Sequence, residues 1–112
     1  MSFNEITFGN KDKEDNKTNR VNKQVGDFMM ELDLASGGIS QVLYHVGVRE
    51  RAFMTLLYSS IKEGDVCIDL GSNIGYTTLY MCKQAGVTGK VYAIEPDPWN
   101  VDLLSTNIKQ NN

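Results

Sequence analysis

Residues 65–75 of the chain read DVCIDLGSNIG, a short apolar run that ends in a glycine-rich turn. The run over 65–70 lies between two glycines, and its length and composition favour a strand buried on both faces, as parallel strands are. Helical spacing of apolar residues follows over 74–85. The stretch therefore predicts a strand that turns sharply into a helix.

A second strand and helix follow at once. Residues 90–94 read KVYAI, a strand pattern, and Asp97 with Pro98 forms a helix start with an N-cap and a proline at the first helical position. Residues 65–110 thus predict strand, helix, strand, helix, in which the first three elements form a right-handed βαβ unit. The fold class expected is α/β, a partial Rossmann-like domain.

The segment before this unit is less regular. Alternating apolar residues predict a strand beginning after Asp27, and a helix is predicted from Glu50 to the glycine at 64. The pattern over 39–46 leaves a returning strand and a short helix open. Residues 1–26 are polar and rich in mixed charges, so no firm structure is assigned to them. We therefore expect a polar segment over 1–26, of a kind often disordered, and an incomplete domain over 27–112.

Composition excludes several classes of protein. The formal net charge is −3, which disfavours a nucleic-acid partner. There is no signal-peptide pattern and no apolar run long enough to span a bilayer, so a cytoplasmic location without membrane contact is expected. The two cysteines are not spaced as metal ligands, and no metal site is predicted.

The turn after the first strand is suited to binding a ligand. Glycines at 71 and 75 bring backbone N–H groups close to it, and a side chain at either position is expected to block that approach. Glu95 ends the second strand, 24 residues after Gly71, which is close to the spacing of an acid that binds ribose hydroxyls. Asp69 repels a pyrophosphate but suits an ammonium group. Because S-adenosylmethionine carries both an amino-acid end and a ribose, it fits both acids.

The same residues carry a family resemblance. Residues 63–77, EGDVCIDLGSNIGYT, resemble the opening of class I methyltransferases and look most like the FkbM family. Residues 89–96, GKVYAIEP, with Asn100 and Asn107 after them, are similar to that family's second block, and the GVRE at 47–50 is weakly similar to a third feature. The resemblance implies S-adenosylmethionine as cofactor and O-methyl transfer to a small molecule or a sugar.

Position by position, the resemblance assigns roles to eight residues. The methionine end of the cofactor is assigned to Asp69, Gly71, Ser72, Asn73 and Gly75. Glu95 is expected to hold the ribose, Pro96 to lie beside the adenine and Tyr76 to border the pocket. Only two strands of the family's seven-stranded sheet fall within the 112 residues, and the catalytic residues remain unidentified. We therefore expect a truncated, cofactor-binding half of a methyltransferase without turnover of its own.

Other interpretations stay open. The turn and Glu95 are also compatible with a ligand-free strand–helix connection, and the chain with a non-catalytic assembly or binding module. The missing G-x-G-x-x-G argues against a nicotinamide oxidoreductase. His45 and Trp99 are expected to be structural, whereas Glu50 either lines the pocket or caps its helix. Open edges of a two-stranded parallel sheet predict self-association, or a partner that completes the sheet.

Overall fold

The computed structural model describes residues 19–112, which form a mixed α/β structure. The elements in chain order are β1 (Arg20–Val25), β2 (Phe28–Asp33), α1 (Gly38–His45), α2 (Arg51–Ser60), β3 (Val66–Leu70), α3 (Tyr76–Ala85), β4 (Lys90–Ile94) and α4 (Pro98–Gln110). The strands pair as two separate two-stranded sheets, β1 with β2 and β3 with β4. This arrangement is compatible with part of a Rossmann-like fold.

The βαβα unit forms where the sequence predicts it. Strands β3 and β4 are parallel, with Val66 opposite Lys90 and Leu70 opposite Ile94. Helix α4 begins with the predicted cap, since the Asp97 carboxylate accepts a hydrogen bond from the backbone N–H of Trp99 at 2.8 Å. The predicted fold class is therefore confirmed at the level of a mixed α/β unit.

The hairpin before this unit includes residues to which the sequence assigned no structure. Residues Arg20–Val25, assigned no structure from the sequence, form β1 and pair antiparallel with β2 along its whole length. The polar composition of β1 hides its strand character, because only Val25 of this strand is fully buried. The segment forms a strand because it pairs with β2, and this pairing cannot be predicted from the local sequence pattern. The part of the prediction that concerns residues 1–18 lies outside the described residues.

The segment left open between strand and helix is helical. Residues Gly38–His45 form α1, and its Ser40 hydroxyl accepts a hydrogen bond from the Asp33 backbone N–H at 3.1 Å. This contact joins the helix to the end of β2. In α2, Met54 and Leu57 are buried, whereas Phe53 is 42% exposed.

One asparagine ties the hairpin to the glycine-rich turn. Asn107 of α4 is fully buried, and its Oδ1 accepts a hydrogen bond from the Glu31 backbone N–H at 2.6 Å. Its Nδ2 donates to the backbone oxygens of Glu31 at 3.2 Å and Ile74 at 2.8 Å. Because these bonds satisfy backbone groups that have no ladder partner, they fix the position of the turn relative to the hairpin.

The β3–β4 sheet corrects a second expectation, that β3 is buried on both faces. Alternate residues Cys67 and Asp69 lie on the face against which α3 packs. The other face carries large apolar side chains that are between 51% and 76% exposed, namely Val66, Ile68, Leu70, Tyr92 and Ile94. Since the described helices that contact this sheet cover one side only, the parallel strands keep one bare face; we call these five residues the bare face.

Candidate functional site

The connection between β3 and α3 is an ordered turn built from backbone contacts. The N–H groups of Gly71 and Ser72 both donate to the Ile94 oxygen, at 2.8 and 3.1 Å. The Gly75 N–H donates to the Ser72 oxygen at 2.9 Å, and Asn73 adopts a left-handed conformation with φ 51°. These contacts hold the turn against the carboxyl end of β4, the sheet edge where ligands bind in open α/β folds.

The glycine-rich turn and Glu95 are in direct contact. One oxygen of the Glu95 carboxylate accepts a hydrogen bond from the Asn73 N–H at 2.8 Å. The other oxygen accepts from the Asp97 N–H at 2.9 Å. Two backbone donors thus fix this half-buried carboxylate in place. Each oxygen has a second lone-pair direction to offer a ligand hydroxyl.

Asp69 lies beneath the turn. Its side chain is 7% exposed, and it accepts a hydrogen bond of 2.6 Å from the Thr78 hydroxyl. Burial raises the pKa of the Asp69 carboxyl, and the Thr78 hydrogen bond opposes that rise in part. The contact joins the end of β3 to the first turn of α3, so Asp69 positions the helix start. Sequence reasoning missed Thr78, whose spacing of nine residues from Asp69 carries no local signal.

The two glycines at the ends of the turn differ in their surroundings. A Cβ atom at Gly71 would have no neighbouring heavy atom within 4 Å, and Gly71 is exposed. A Cβ atom at Gly75 would lie 2.8 Å from the Leu104 Cδ1. The expectation that both glycines make room for a ligand thus needs revision, because close packing of α4 accounts for glycine at 75. Only Gly71 offers an open backbone face.

Ser72 contributes to the turn through its backbone. The side chain is 4% exposed, and among residues 19–112 no hydrogen-bond partner lies near its buried Oγ. Asn73, in contrast, is half-buried. Pro96 is exposed directly after Glu95. Of the residues predicted to contact a ligand, Gly71, Asn73, Glu95 and Pro96 are therefore the accessible ones.

Tyr76 connects the turn to the loop over residues 47–50, whose sequence is only weakly similar to a family feature. Its ring is 3% exposed and packs edge-on against Tyr80 at 5.4 Å between centroids. Its hydroxyl accepts from the Arg49 N–H at 3.3 Å and donates to the Arg49 oxygen at 3.4 Å. The GVRE segment at 47–50 thus lies beside the start of α3. Glu50 precedes α2 in a left-handed conformation, and its side chain makes no capping hydrogen bond.

Two residues expected to be structural have structural partners. The Trp99 Nε1 donates to the Asp33 carboxylate at 3.1 Å, and the guanidinium of Arg20 lies 5.0 Å from the Trp99 ring centre. A His45 ring nitrogen lies 3.1 Å from the Gln41 side-chain oxygen, one helical turn earlier. Both residues therefore have contacts within the chain that explain their positions without a ligand.

The described part of the chain has neither a cluster of metal ligands nor a membrane-spanning helix. Over 19–112, no three His, Cys, Asp or Glu side chains are grouped so as to hold a metal ion. No helix within the same range has the length and apolar character needed to cross a membrane.

The site combines a fixed carboxylate with an open stretch of backbone. Glu95 is a fixed acceptor for vicinal hydroxyls, and the backbone at Gly71 is open to a close-lying ligand. Helix α3 begins at Tyr76 with Gly75 as its N-cap residue, so it has no side-chain cap, and its first turn has no acid. Its first N–H groups are therefore available to polar groups outside the helix.

Comparison with known proteins gives a local similarity. Over 50 residues, 45% of the chain, it is 40% identical to the protein-L-isoaspartate O-methyltransferase of Methanococcoides burtonii. Over 59 residues, 53% of the chain, it is 39% identical to an uncharacterised protein of Methanocaldococcus jannaschii. The matches cover 25% and 22% of these proteins, so the chain spans about a quarter of the length of the curated relatives it matches.

No family model matches the chain, and no solved structure does. The similarity to the isoaspartate enzyme supports a relationship to class I S-adenosylmethionine-dependent methyltransferases in general. It does not distinguish the FkbM family, which stays a prediction from the residues of the two motifs.

Proposed function

We propose that this chain carries the cofactor-binding half of an S-adenosylmethionine-dependent methyltransferase of the FkbM type. The observation that carries the proposal is the contact between the Asn73 N–H and the Glu95 carboxylate at 2.8 Å. This contact joins the glycine-rich turn to the acid at the end of the next strand. The turn for the methionine end of the cofactor and the carboxylate for its ribose would thus lie at one edge of the sheet.

The residues divide the work of binding. Glu95 would accept hydrogen bonds from the two ribose hydroxyls, and the open backbone at Gly71 would admit the ligand close to the sheet. Pro96 would lie beside the adenine, and Asn73 would contact the methionine end. Asp69, bonded to Thr78, would act by positioning α3. When bound, the cofactor supplies a methyl group on a sulfonium centre, and the acceptor proposed is a hydroxyl of a small molecule or a sugar.

A calorimetric titration with S-adenosylhomocysteine tests the proposal, with NAD as the control ligand. We expect saturable binding of the first ligand only. Glu95→Gln should weaken it tenfold or more, because a charge-assisted hydrogen bond contributes about 1.5–3 kcal/mol. Glu63→Gln is the matched control, since Glu63 is an exposed carboxylate that takes no part in the site. A folded chain that binds neither ligand would overturn the proposal.

The acceptor class needs its own measurement. Because no turnover is expected from the cofactor-binding half alone, acceptor binding is measured by calorimetry on the chain saturated with S-adenosylhomocysteine. The two ligands are a sugar and an isoaspartyl peptide, the second chosen because of the similarity to the isoaspartate enzyme. Saturable binding of the sugar alone would favour the FkbM type, and saturable binding of the peptide would contradict it.

An assembly function is the second candidate, and the bare face favours it. We propose a second copy of the chain as the occupant, packed face to face. Five residues per strand and strand spacing make the face about 16 Å long and about 10 Å wide. Stable interfaces bury about 800 Å² per partner, so the predicted dimer is weak.

Sedimentation velocity over a range of concentrations tests this second candidate. The average mass should rise with concentration, and Ile68→Asn on the bare face should suppress the rise. Val87→Asn is the control, because Val87 is 69% exposed but lies outside that face. A monodisperse monomer at all concentrations would contradict self-association. A larger partner bound at the same face would show a different occupant.

A further inference from the structure

The fold brings the two cysteines of the chain to one interface. Cys67 is half-buried on the face of β3 against which α3 packs, and Cys82 is a buried residue of α3. Both are free thiols. The proposed function uses neither of them.

Two contacts fix the distance between β3 and α3 on either side of the cysteines. Near the glycine-rich turn, the Thr78 hydroxyl donates to the Asp69 carboxylate at 2.6 Å. At the far end of the helix, the Gly64 N–H donates to the Ala85 backbone oxygen at 2.8 Å. Because the helix start lies at the end of the strand and the helix end lies before its start, α3 runs antiparallel to β3.

The two thiols lie at the same height between these contacts. Cys67 is two residues before Asp69, which is about 6.6 Å back along the strand. Cys82 is four residues after Thr78, which is about 6 Å further along the same face of the helix. Since the two steps run in the same direction, the cysteines face each other across the interface, as the aspartate and the threonine do.

The ionisation of the thiols agrees with this placement. Burial, and after it the neighbouring Cys67 thiol, raise the pKa of Cys82 to about 12. Burial also raises the pKa of Cys67, with a second contribution from Asp65. Both thiols are therefore protonated at neutral pH, so they react slowly, because the thiolate is the reactive form.

We propose that Cys67 and Cys82 form a redox-sensitive pair, which closes to a disulfide between β3 and α3 by exchange with a small-molecule disulfide such as oxidised glutathione. Cys67, the more exposed of the two, reacts first. Its thiol loses a proton to solvent, and the thiolate attacks one glutathione sulfur. The glutathione S–S bond breaks, and one glutathione leaves as a thiolate that takes up a proton.

The second step closes the bond within the chain. The Cys82 thiol loses its proton and attacks the Cys67 sulfur of the mixed disulfide. The second glutathione leaves as a thiolate and is protonated. In total the two protein thiols give up two electrons and two protons, and one small disulfide is reduced to two thiols.

The cross-link closes a loop that contains the whole glycine-rich turn. A disulfide restricts the unfolded chain more than the folded one, so the oxidised chain should resist urea better than the reduced chain. This effect needs no cofactor, and the proposal therefore stands independently of the proposed function.

Incubation of the folded chain with oxidised glutathione at mildly alkaline pH tests the proposal. We expect the mass of the wild-type chain to fall by that of two hydrogens, and digestion to release the peptides of Cys67 and Cys82 linked together. The urea midpoint should rise, and it should return to its starting value after reduction with dithiothreitol. The same incubation in urea, where both thiols are accessible, is the control for the reagent.

Single variants check the order of the steps. Cys82→Ala should retain one glutathione on Cys67, because no second thiol displaces it. Cys67→Ala should stay unmodified while folded, because Cys82 is 5% exposed. Neither variant should gain urea resistance from the treatment.

Three results would overturn the proposal. The first is a folded wild-type chain that retains glutathione on Cys67. The second is a folded chain whose thiols both stay free, while the sample in urea reacts. The third is a cross-linked chain with a lower urea midpoint than the reduced chain, since the native interface would then not hold the two sulfurs at bonding distance.

Discussion

Replacing Gly75 with alanine is expected to destabilise the fold more than the same replacement at Gly71. Both glycines have positive φ, 96° and 77° respectively, so each alanine is forced into the left-handed region. That conformation costs about 1–2 kcal/mol for a residue with a Cβ atom. The conformational cost is therefore similar at both positions. Any difference between the two variants in the free energy of unfolding then comes from packing.

The packing difference follows from the surroundings of each Cβ atom. At Gly75 the added carbon lies 2.8 Å from the Leu104 Cδ1, and Leu104 is 2% exposed, so it has little room to move. Overfilling a packed core costs about 1–3 kcal/mol. Gly75→Ala should therefore lower the free energy of unfolding by about 2–5 kcal/mol, and Gly71→Ala by about 1–2 kcal/mol.

Urea denaturation of both variants measures how much unfolding free energy each one loses. Calorimetry with S-adenosylhomocysteine measures their affinity for the ligand. Gly71→Ala should remain folded and lose ligand affinity, because its Cβ atom occupies the open approach to the backbone. Equal losses of stability at the two positions would refute the packing argument. A stable Gly71→Ala chain that binds the ligand as tightly as wild type would refute the open approach.

Three other predictions address single side chains. Ser72→Ala should raise the free energy of unfolding by about 1 kcal/mol, since it removes a buried hydroxyl that has no hydrogen-bond partner among residues 19–112; a lower melting temperature would contradict this. Asn107→Ala should lower that free energy by about 2–4 kcal/mol because four side-chain hydrogen bonds are lost, three of them to the backbone of Glu31 and Ile74 and one from the side chain of Gln110, and a urea midpoint equal to wild type would disprove it. For Asp69, whose pKa is raised above 3.8 by burial, the folded state binds the proton more tightly, so stability falls as pH rises from 3.8 through the folded pKa. Asp69→Asn should abolish this fall, measured as urea midpoints from acid to neutral pH; the nearby Cys82 thiol, with a pKa raised to about 12, does not titrate in that range.

The sequence alone determined the elements whose signals are local. Residues 90–94 were predicted as a strand and form β4, and Asp97 was predicted as the cap of α4 and binds the Trp99 N–H. These succeed because strand alternation and capping depend on neighbours within a few residues. The sequence also placed the turn and Glu95 at the carboxyl ends of successive strands, which meet at one edge of a parallel sheet.

Tertiary structure decided what depends on contacts distant in sequence. Strand β1 exists because β2 pairs with it, and Gly75 is packed because Leu104 lies against it. The Arg49 backbone N–H binds the hydroxyl of Tyr76, 27 residues further along the chain. The bare face is also a tertiary property, because it depends on which side of the sheet the helices pack. The hydrophobic periodicity of a segment indicates whether it forms a helix or a strand. Which other segments it contacts is determined by the folding of the whole chain.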